Sequence, residues 1–249
     1  MTNPQKSIVL ITGANSGIGF ELAAQLLKDG GKHVLLGSRS VDKGDKAVKD
    51  LQSRGLPGSV ELLQVDVSDE SSIAAAAKVV EENHDRLDAL VNNAGILDDS
   101  SMTSMFEKLN SVFRTNAAGP YAMVEAFAPL LARSGNTPRI INVSSGAGSI
   151  ATRLNSSDMF YSTKLDHYRA SKAALNMITA CQIVEYHEKG WKVFVYCPGF
   201  TESNLGPNNK IEKGAHPTSE GARPVVDILN GKRDAEAGKF LTIGGENPW

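Results

Sequence analysis

Short apolar runs alternate with longer amphipathic segments along this chain, and that alternation limits the folds open to it more than any other feature. The runs Ser7–Thr12, His33–Gly37, Val60–Val65, Leu87–Val91, Arg139–Val143, Lys192–Tyr196 and Phe240–Ile243 are rich in Val, Ile and Leu. They are nearly continuous rather than alternating apolar and polar, which suits strands covered on both faces. Helical patterns lie between them at about 17–29, 42–54, 69–84, 103–132, 166–189 and 218–230. The pattern implies an α/β fold: a Rossmann-type doubly wound parallel sheet of about seven strands flanked by helices. Ligands of such sheets bind at the carboxyl ends of the strands. Two irregular stretches, Gly146–His167 and Glu202–Pro217, each follow a strand end and are expected to wall a substrate pocket.

A chain of 249 residues is expected to form a single domain around one core. Charged residues make up 22% and the net charge is −2, which offers no electrostatic footprint for nucleic acid. No stretch reaches the roughly 18 consecutive apolar residues of a membrane span. The start of the chain lacks a signal peptide's layout, and the cysteines, Cys181 and Cys197, are too few for a disulfide framework. A cytoplasmic protein, either a monomer or a homo-oligomer, is expected. The histidines His33, His84, His167, His187 and His216 show no metal-ligand spacing with the cysteines, so no metal is expected.

The segment Thr12–Gly19, Thr-Gly-Ala-Asn-Ser-Gly-Ile-Gly, follows the first strand and opens a helix. Gly13, Gly17 and Gly19 let the backbone turn sharply and approach a pyrophosphate favoured by the helix N-terminus. Asn15, Ser16 and Ile18 complete that turn. A glycine-rich structural turn is the alternative reading. The second strand ends in Gly37-Ser38-Arg39-Ser40, with no acid before Asp42. A hydroxyl at Ser38 and a guanidinium at Arg39 suit a 2′-phosphate, so NADP(H) is expected rather than NAD(H). Alternatively, Arg39 caps a surface turn. Asp66-Val67 follows the third strand, where a carboxylate can accept from an adenine amino group; Asp66 could instead begin the next helix, with Ser68 or Asp69 as N-cap. Asn92-Asn93-Ala94-Gly95 follows the fourth strand, where asparagines can tie loops together and small residues admit a ribose.

In Tyr-Arg-Ala-Ser-Lys, Tyr168 and Lys172 stand four residues apart and share one face of a helix. A phenol beside an ammonium can protonate the alkoxide that hydride addition to a carbonyl creates. Free tyrosine has a pKa of about 10, and nearby positive charge is expected to lower it. Such pairs also occur structurally on surface helices. Tyr161 and Lys164 nearby are only three apart.

In this order, the Thr12–Gly19 turn, Asp66-Val67, Asn92–Gly95, Asn116, Ile140–Ser145, Tyr168-x-x-x-Lys172 and Pro198-Gly199 resemble the short-chain dehydrogenase/reductase family. Arg39 and the ending Gly238–Trp249 look most like its NADPH-dependent carbonyl-reductase branch. The resemblance implies an oxidoreductase in which Tyr168 is proton donor and Lys172 lowers its pKa and binds the nicotinamide ribose. Ser145, the second of the pair Ser144-Ser145, orients the carbonyl, while Ser144 is structural. Asn116 holds a water joining Lys172 to solvent, with a helix–helix hydrogen bond as its alternative. Backbone at Thr201, after Pro198 and Gly199, meets the nicotinamide carboxamide; Thr201 and Ser203 stand where the family often has Val and Thr. The chain then divides into a nucleotide-binding half, about 1–95, and a catalytic and substrate-binding half, about 96–249.

Ser145 and Tyr168 are 23 residues apart, more than is typical of the family. The extra residues include Arg153, Leu154, Met159, Phe160 and Tyr161, expected to line or cover the pocket and to obstruct a dimerising face of the tyrosine helix. Phe200 is open between pocket wall and simple packing. The expected reaction is reduction of a ketone or aldehyde. A non-catalytic NADP(H)-binding regulator or scaffold, and a reductase of imines or conjugated alkenes, are the alternatives.

Overall fold

The computed structural model describes residues 6–98 and 101–249. The strands are β1 (Ser7–Ile11), β2 (Lys32–Ser38), β3 (Ser59–Gln64), β4 (Ala89–Asn92), β5 (Arg139–Val143), β6 (Lys192–Tyr196) and β7 (Phe240–Leu241). They form one parallel sheet in the order β3-β2-β1-β4-β5-β6-β7. The order reverses between β1 and β4, and a crevice opens outside strand ends at such a switch point. The expected doubly wound fold is therefore present.

Side chains alternate faces along each strand. In β1, Val9 and Ile11 pack into one buried cluster, while Ile8 and Leu10 pack into another. The first cluster is closed by α1 (Gly17–Leu27), α2 (Val41–Ser53) and α8 (Thr218–Leu229), through Leu22, Leu26, Leu51, Val225 and Ile228. The second is closed by α3 (Glu70–His84) and α5 (Gly119–Leu131), through Ile73, Val80, Met123 and Phe127, and by Tyr186 of α7 (Asp166–His187). Phe127 is fully buried, so truncating it to alanine would cost about 3–5 kcal/mol.

The stretch expected as one helix over 103–132 is interrupted. It forms α4 (Met105–Phe113), a π-helical turn at Arg114–Ala118, and then α5. Pro120 has no amide hydrogen to return to the carbonyl four residues back, at Asn116, and its ring would crowd that carbonyl. Widening the turn accommodates both effects. The segment after β5, expected to be irregular, holds a 3₁₀ turn at Gly146–Gly148 and the short helix α6 (Ile150–Leu154). No helix among the described residues is long and apolar enough to cross a membrane.

Candidate active site

The loops after the central strands enclose a crevice of about 330 Å³. Gly13, Asn15, Ser16, Gly17 and Ile18 form its floor at the start of α1. Gly13 has φ +63°, and a β-carbon there would lie 2.9 Å from Ala94 Cα, so a side chain would be both strained and crowded. The adjoining β4 loop is held by Thr12, whose Oγ accepts from the amides of Asn93 and Ala94, both at 3.0 Å. Asn93 donates in turn to the Thr12 carbonyl at 2.8 Å. Ala94 and Gly95 line the crevice beside it.

At the β2 end, Ser38, Arg39, Ser40 and Lys43 line the crevice. Ser38 is buried and donates to the Ser40 carbonyl at 2.9 Å, so its hydroxyl proton is committed within the loop. Ser40 caps α2 by accepting from the Lys43 amide. Lys43 is a second cation beside Arg39. It was missed in the sequence because it sits one helical turn beyond the strand end. Asp66 and Val67 line the crevice, and Asp66 accepts from the Ser68 hydroxyl at 2.6 Å. Asp69, not Asp66, caps α3. Pro198 and Ser203 close the far side with Asn204 and Leu205.

Several residues expected at the cofactor do not line this crevice. Asn92 is buried and donates to Asn142 at 2.8 Å, cross-linking β4 to β5. Gly19 is buried inside α1. Thr201 is buried and its carbonyl accepts from Asn209 at 3.1 Å, while Gly199 lines a second, larger cavity. Asn92 and Thr201 do stand at strand ends or just beyond them, but Asn92 is turned to the neighbouring strand and Thr201 to the Asn209 loop.

Tyr168 and Lys172 stand one turn apart on α7, both buried. Lys172 Nζ donates to the Val143 carbonyl at 2.9 Å and lies 5.8 Å from the centre of the Tyr168 ring. Burial lowers Lys172 from 10.5 to about 8. Burial also raises the Tyr168 phenol well above its ordinary 10, against the pull of a hydrogen bond with Ser145. The expected lowering of Tyr168 by Lys172 is therefore not what the protein alone shows: desolvation of the phenolate dominates, and Ser145 supplies the opposing pull. The result is a phenol that holds its proton.

Ser145 stands two residues beyond β5, accepts from the Ala147 amide at 3.2 Å and opens the 3₁₀ turn. A β-carbon at Gly148 would lie 2.6 Å from the Lys172 carbonyl carbon, so only glycine lets this turn press against α7. Ser144 is buried and donates to Asn176 at 2.6 Å, a structural bond. Asn116, in the π turn, is fully buried. It accepts from the Ile96 amide, donates to the Ile96 carbonyl at 2.8 Å, and donates to Ser171 of α7 at 3.0 Å. The helix–helix bond is therefore present, through a serine that gave no signal in the sequence.

The second cavity, of about 750 Å³, contains Ser145 and Tyr168 in its wall. Met159, Phe160, Phe200, Leu205 and Ile243 make much of that wall apolar. Phe160 meets Phe200 edge-on, with ring centres 6.0 Å apart, which resolves Phe200 as pocket wall. Arg169 donates to the Phe160 carbonyl at 2.9 Å and ties the wall to α7. Arg153, Leu154 and Tyr161, expected at the pocket, are not in its wall; Leu154 is 77% exposed. Tyr168 and Leu205 line both cavities.

A family model described as short chain dehydrogenase matches residues 7–213. A short-chain dehydrogenase of Penicillium roqueforti, anuI, is 40% identical over 226 residues, covering 89% of this chain and 87% of its own length. The (+)-neomenthol dehydrogenase of Arabidopsis thaliana is 31% identical over 288 residues, 94% of this chain and 95% of its own length. Among solved structures, an NADPH-bound carbonyl reductase from chicken fatty liver has a TM-score of 0.82 at 28% identity, covering 98% of this chain and 100% of that one. The chain belongs to the short-chain dehydrogenase family, whose oxidoreductases work with a nicotinamide cofactor.

Proposed function

We propose that this chain is an NADPH-dependent reductase converting a bulky, mainly apolar ketone or aldehyde to the alcohol. One observation carries the reading: Tyr168 lines the nucleotide crevice and the larger chamber at once. A proton donor at that boundary can reach an oxygen of a molecule in the chamber whose carbon faces the crevice. The crevice fits a dinucleotide, since the start of α1 faces it and the Gly13 turn admits a phosphate to the backbone. Arg39 and Lys43 favour the 2′-phosphate of NADPH, and the similar carbonyl reductase was solved with NADPH. A division of labour between about 1–95 and about 96–249 is supported on one side only: the larger chamber is lined from Leu97 onward, while the crevice draws on both halves.

NADPH, when bound, supplies a hydride to the carbonyl carbon. Ser145 donates a hydrogen bond to the carbonyl oxygen as charge develops there. Tyr168 passes its phenolic proton to that oxygen, leaving an alcohol and a phenolate. The Lys172 ammonium stabilises the phenolate that burial makes costly. With a pKa near 8, Lys172 is charged at neutral pH yet gives up a proton readily enough to restore Tyr168. Asn116 fixes the Ile96 loop against α7, beside Lys172.

The test is NADPH oxidation against a panel of ketones and aldehydes, with imines and conjugated alkenes as controls. Tyr168→Phe is expected to lower kcat by about 10²- to 10⁴-fold with NADPH binding unchanged. Turnover retained in that variant would overturn the proton-donor role. Consumption of imines or alkenes alone would overturn the carbonyl reading.

A further inference from the structure

Away from the active site, the start of β2, the edge strand β3 and the end of α3 bring His33, Glu61 and His84 together. One ligand atom of each lies within 4.8 Å of the others. Glu61 Oε1 is 2.7 Å from His84 Nε2 and 3.6 Å from His33 Nε2. No sequence motif announced the group, because the three positions meet only through strand pairing and the packing of α3.

His33 gives the group its chemical direction. Its Nδ1 lies 2.8 Å from Ser59 Oγ, which also accepts from Lys6 at 3.2 Å. In a metal-bound form the ring proton would sit on Nδ1, where Ser59 Oγ can accept it, and Nε2 would be the ligand atom. That atom is buried, has no hydrogen-bond partner, and faces the Glu61 carboxylate.

We propose that His33, Glu61 and His84 form a binding site for a divalent transition-metal ion, zinc by ligand type, which staples the edge strand to α3. Two imidazoles and a carboxylate are an established zinc donor set, with water completing the tetrahedron. Bonds of about 2.0–2.2 Å place ligand atoms about 3.3–3.6 Å apart, so His33 and Glu61 are already spaced correctly. Glu61 is 47% exposed, so its side chain is free to back away from His84. His84 ends α3, where the helix dipole favours a cation. Lys6 is the opposing charge, and it is directed to Ser59. A hydrogen bond to Ser59 also fixes the ring orientation, as outer-shell partners of metal-bound histidines do.

The experiment is calorimetric titration of the full, untagged, metal-stripped chain with zinc chloride, repeated with cobalt chloride to read the visible bands of a tetrahedral ion. One saturable equivalent is expected. His33→Gln, Glu61→Gln and His84→Gln should each weaken it by about 10-fold or more. Zinc should raise the melting temperature of the wild type and not of His84→Gln, whose side chain lies at the end of α3. Reductase turnover should be unchanged in His84→Gln, which separates this site from the catalytic reading. Absence of saturable zinc uptake by the wild type, or uptake by all three variants as tight as that of the wild type, would overturn the proposal.

Discussion

Keeping an ammonium out of water beside a phenol is costly, and Lys172 shows it. Its value of about 8 in the folded chain lies below the ordinary 10.5. Between those two pH values the unfolded chain binds more protons than the folded one, so stability rises with pH across that window. The penalty present at neutral pH is on the order of 3 kcal/mol. Relative to Lys172→Met, the wild type should therefore gain up to that amount between pH 8 and 10.5, read as the difference in urea unfolding free energies. A flat difference would mean that the ammonium is not desolvated. Arg39 poses the opposite situation, an exposed cation at the rim of the crevice. Charge-assisted bonds contribute about 1.5–3 kcal/mol, so Arg39→Ala should raise the KM for NADPH by about 10- to 100-fold and barely alter that for NADH. Lys43→Ala should act in the same direction, since Lys43 lines the same end of the crevice. Equal effects on both cofactors would remove the phosphate assignment.

Among the elements, the contact between the 3₁₀ turn and α7 decides how Ser145 meets Tyr168. Gly148→Ala inserts a methyl where the backbone of Lys172 and Ala173 leaves no space. Overpacking of this kind costs about 1–3 kcal/mol, and the variant should lose kcat well beyond its loss of thermal stability. An unchanged kcat at reduced stability would show that the turn does not position the serine. The strands were the most legible elements in the sequence: the runs at Arg139–Val143 and Lys192–Tyr196 coincide with β5 and β6. Doubly covered strands leave continuous apolar runs that little else imitates. The break inside 103–132 was signalled by Gly119-Pro120 but hidden by strong helical periodicity on either side. Tyr168, Lys172 and the Gly13 turn were readable because their spacing is local. By contrast, Lys43, Ser171 and the chamber wall depend on tertiary packing, and the directions of Asn92 and Thr201 depend on turn geometry.

At the scale of the molecule, the end of the chain returns to the chamber. Thr242, Ile243 and Asn247 line it, the Asn247 amide donates to Phe240 at 2.8 Å, and the Trp249 ring lies 5.8 Å from that of Phe240. Removing residues 246–249 should therefore lower kcat/KM for a bulky ketone by about 10- to 100-fold while NADPH affinity stays as it was. Stopped-flow turnover together with a fluorescence titration of the cofactor would check both halves, and a matching loss of cofactor affinity would contradict the separation of the two cavities. That separation also has a bearing on descent. Met159, Phe160 and Asn247 hang from stretches outside the strand ladder, whereas Tyr168 and Lys172 sit on a helix packed against it. An ancestor with this framework could hand down one reaction to many lineages, each free to settle on a different molecule.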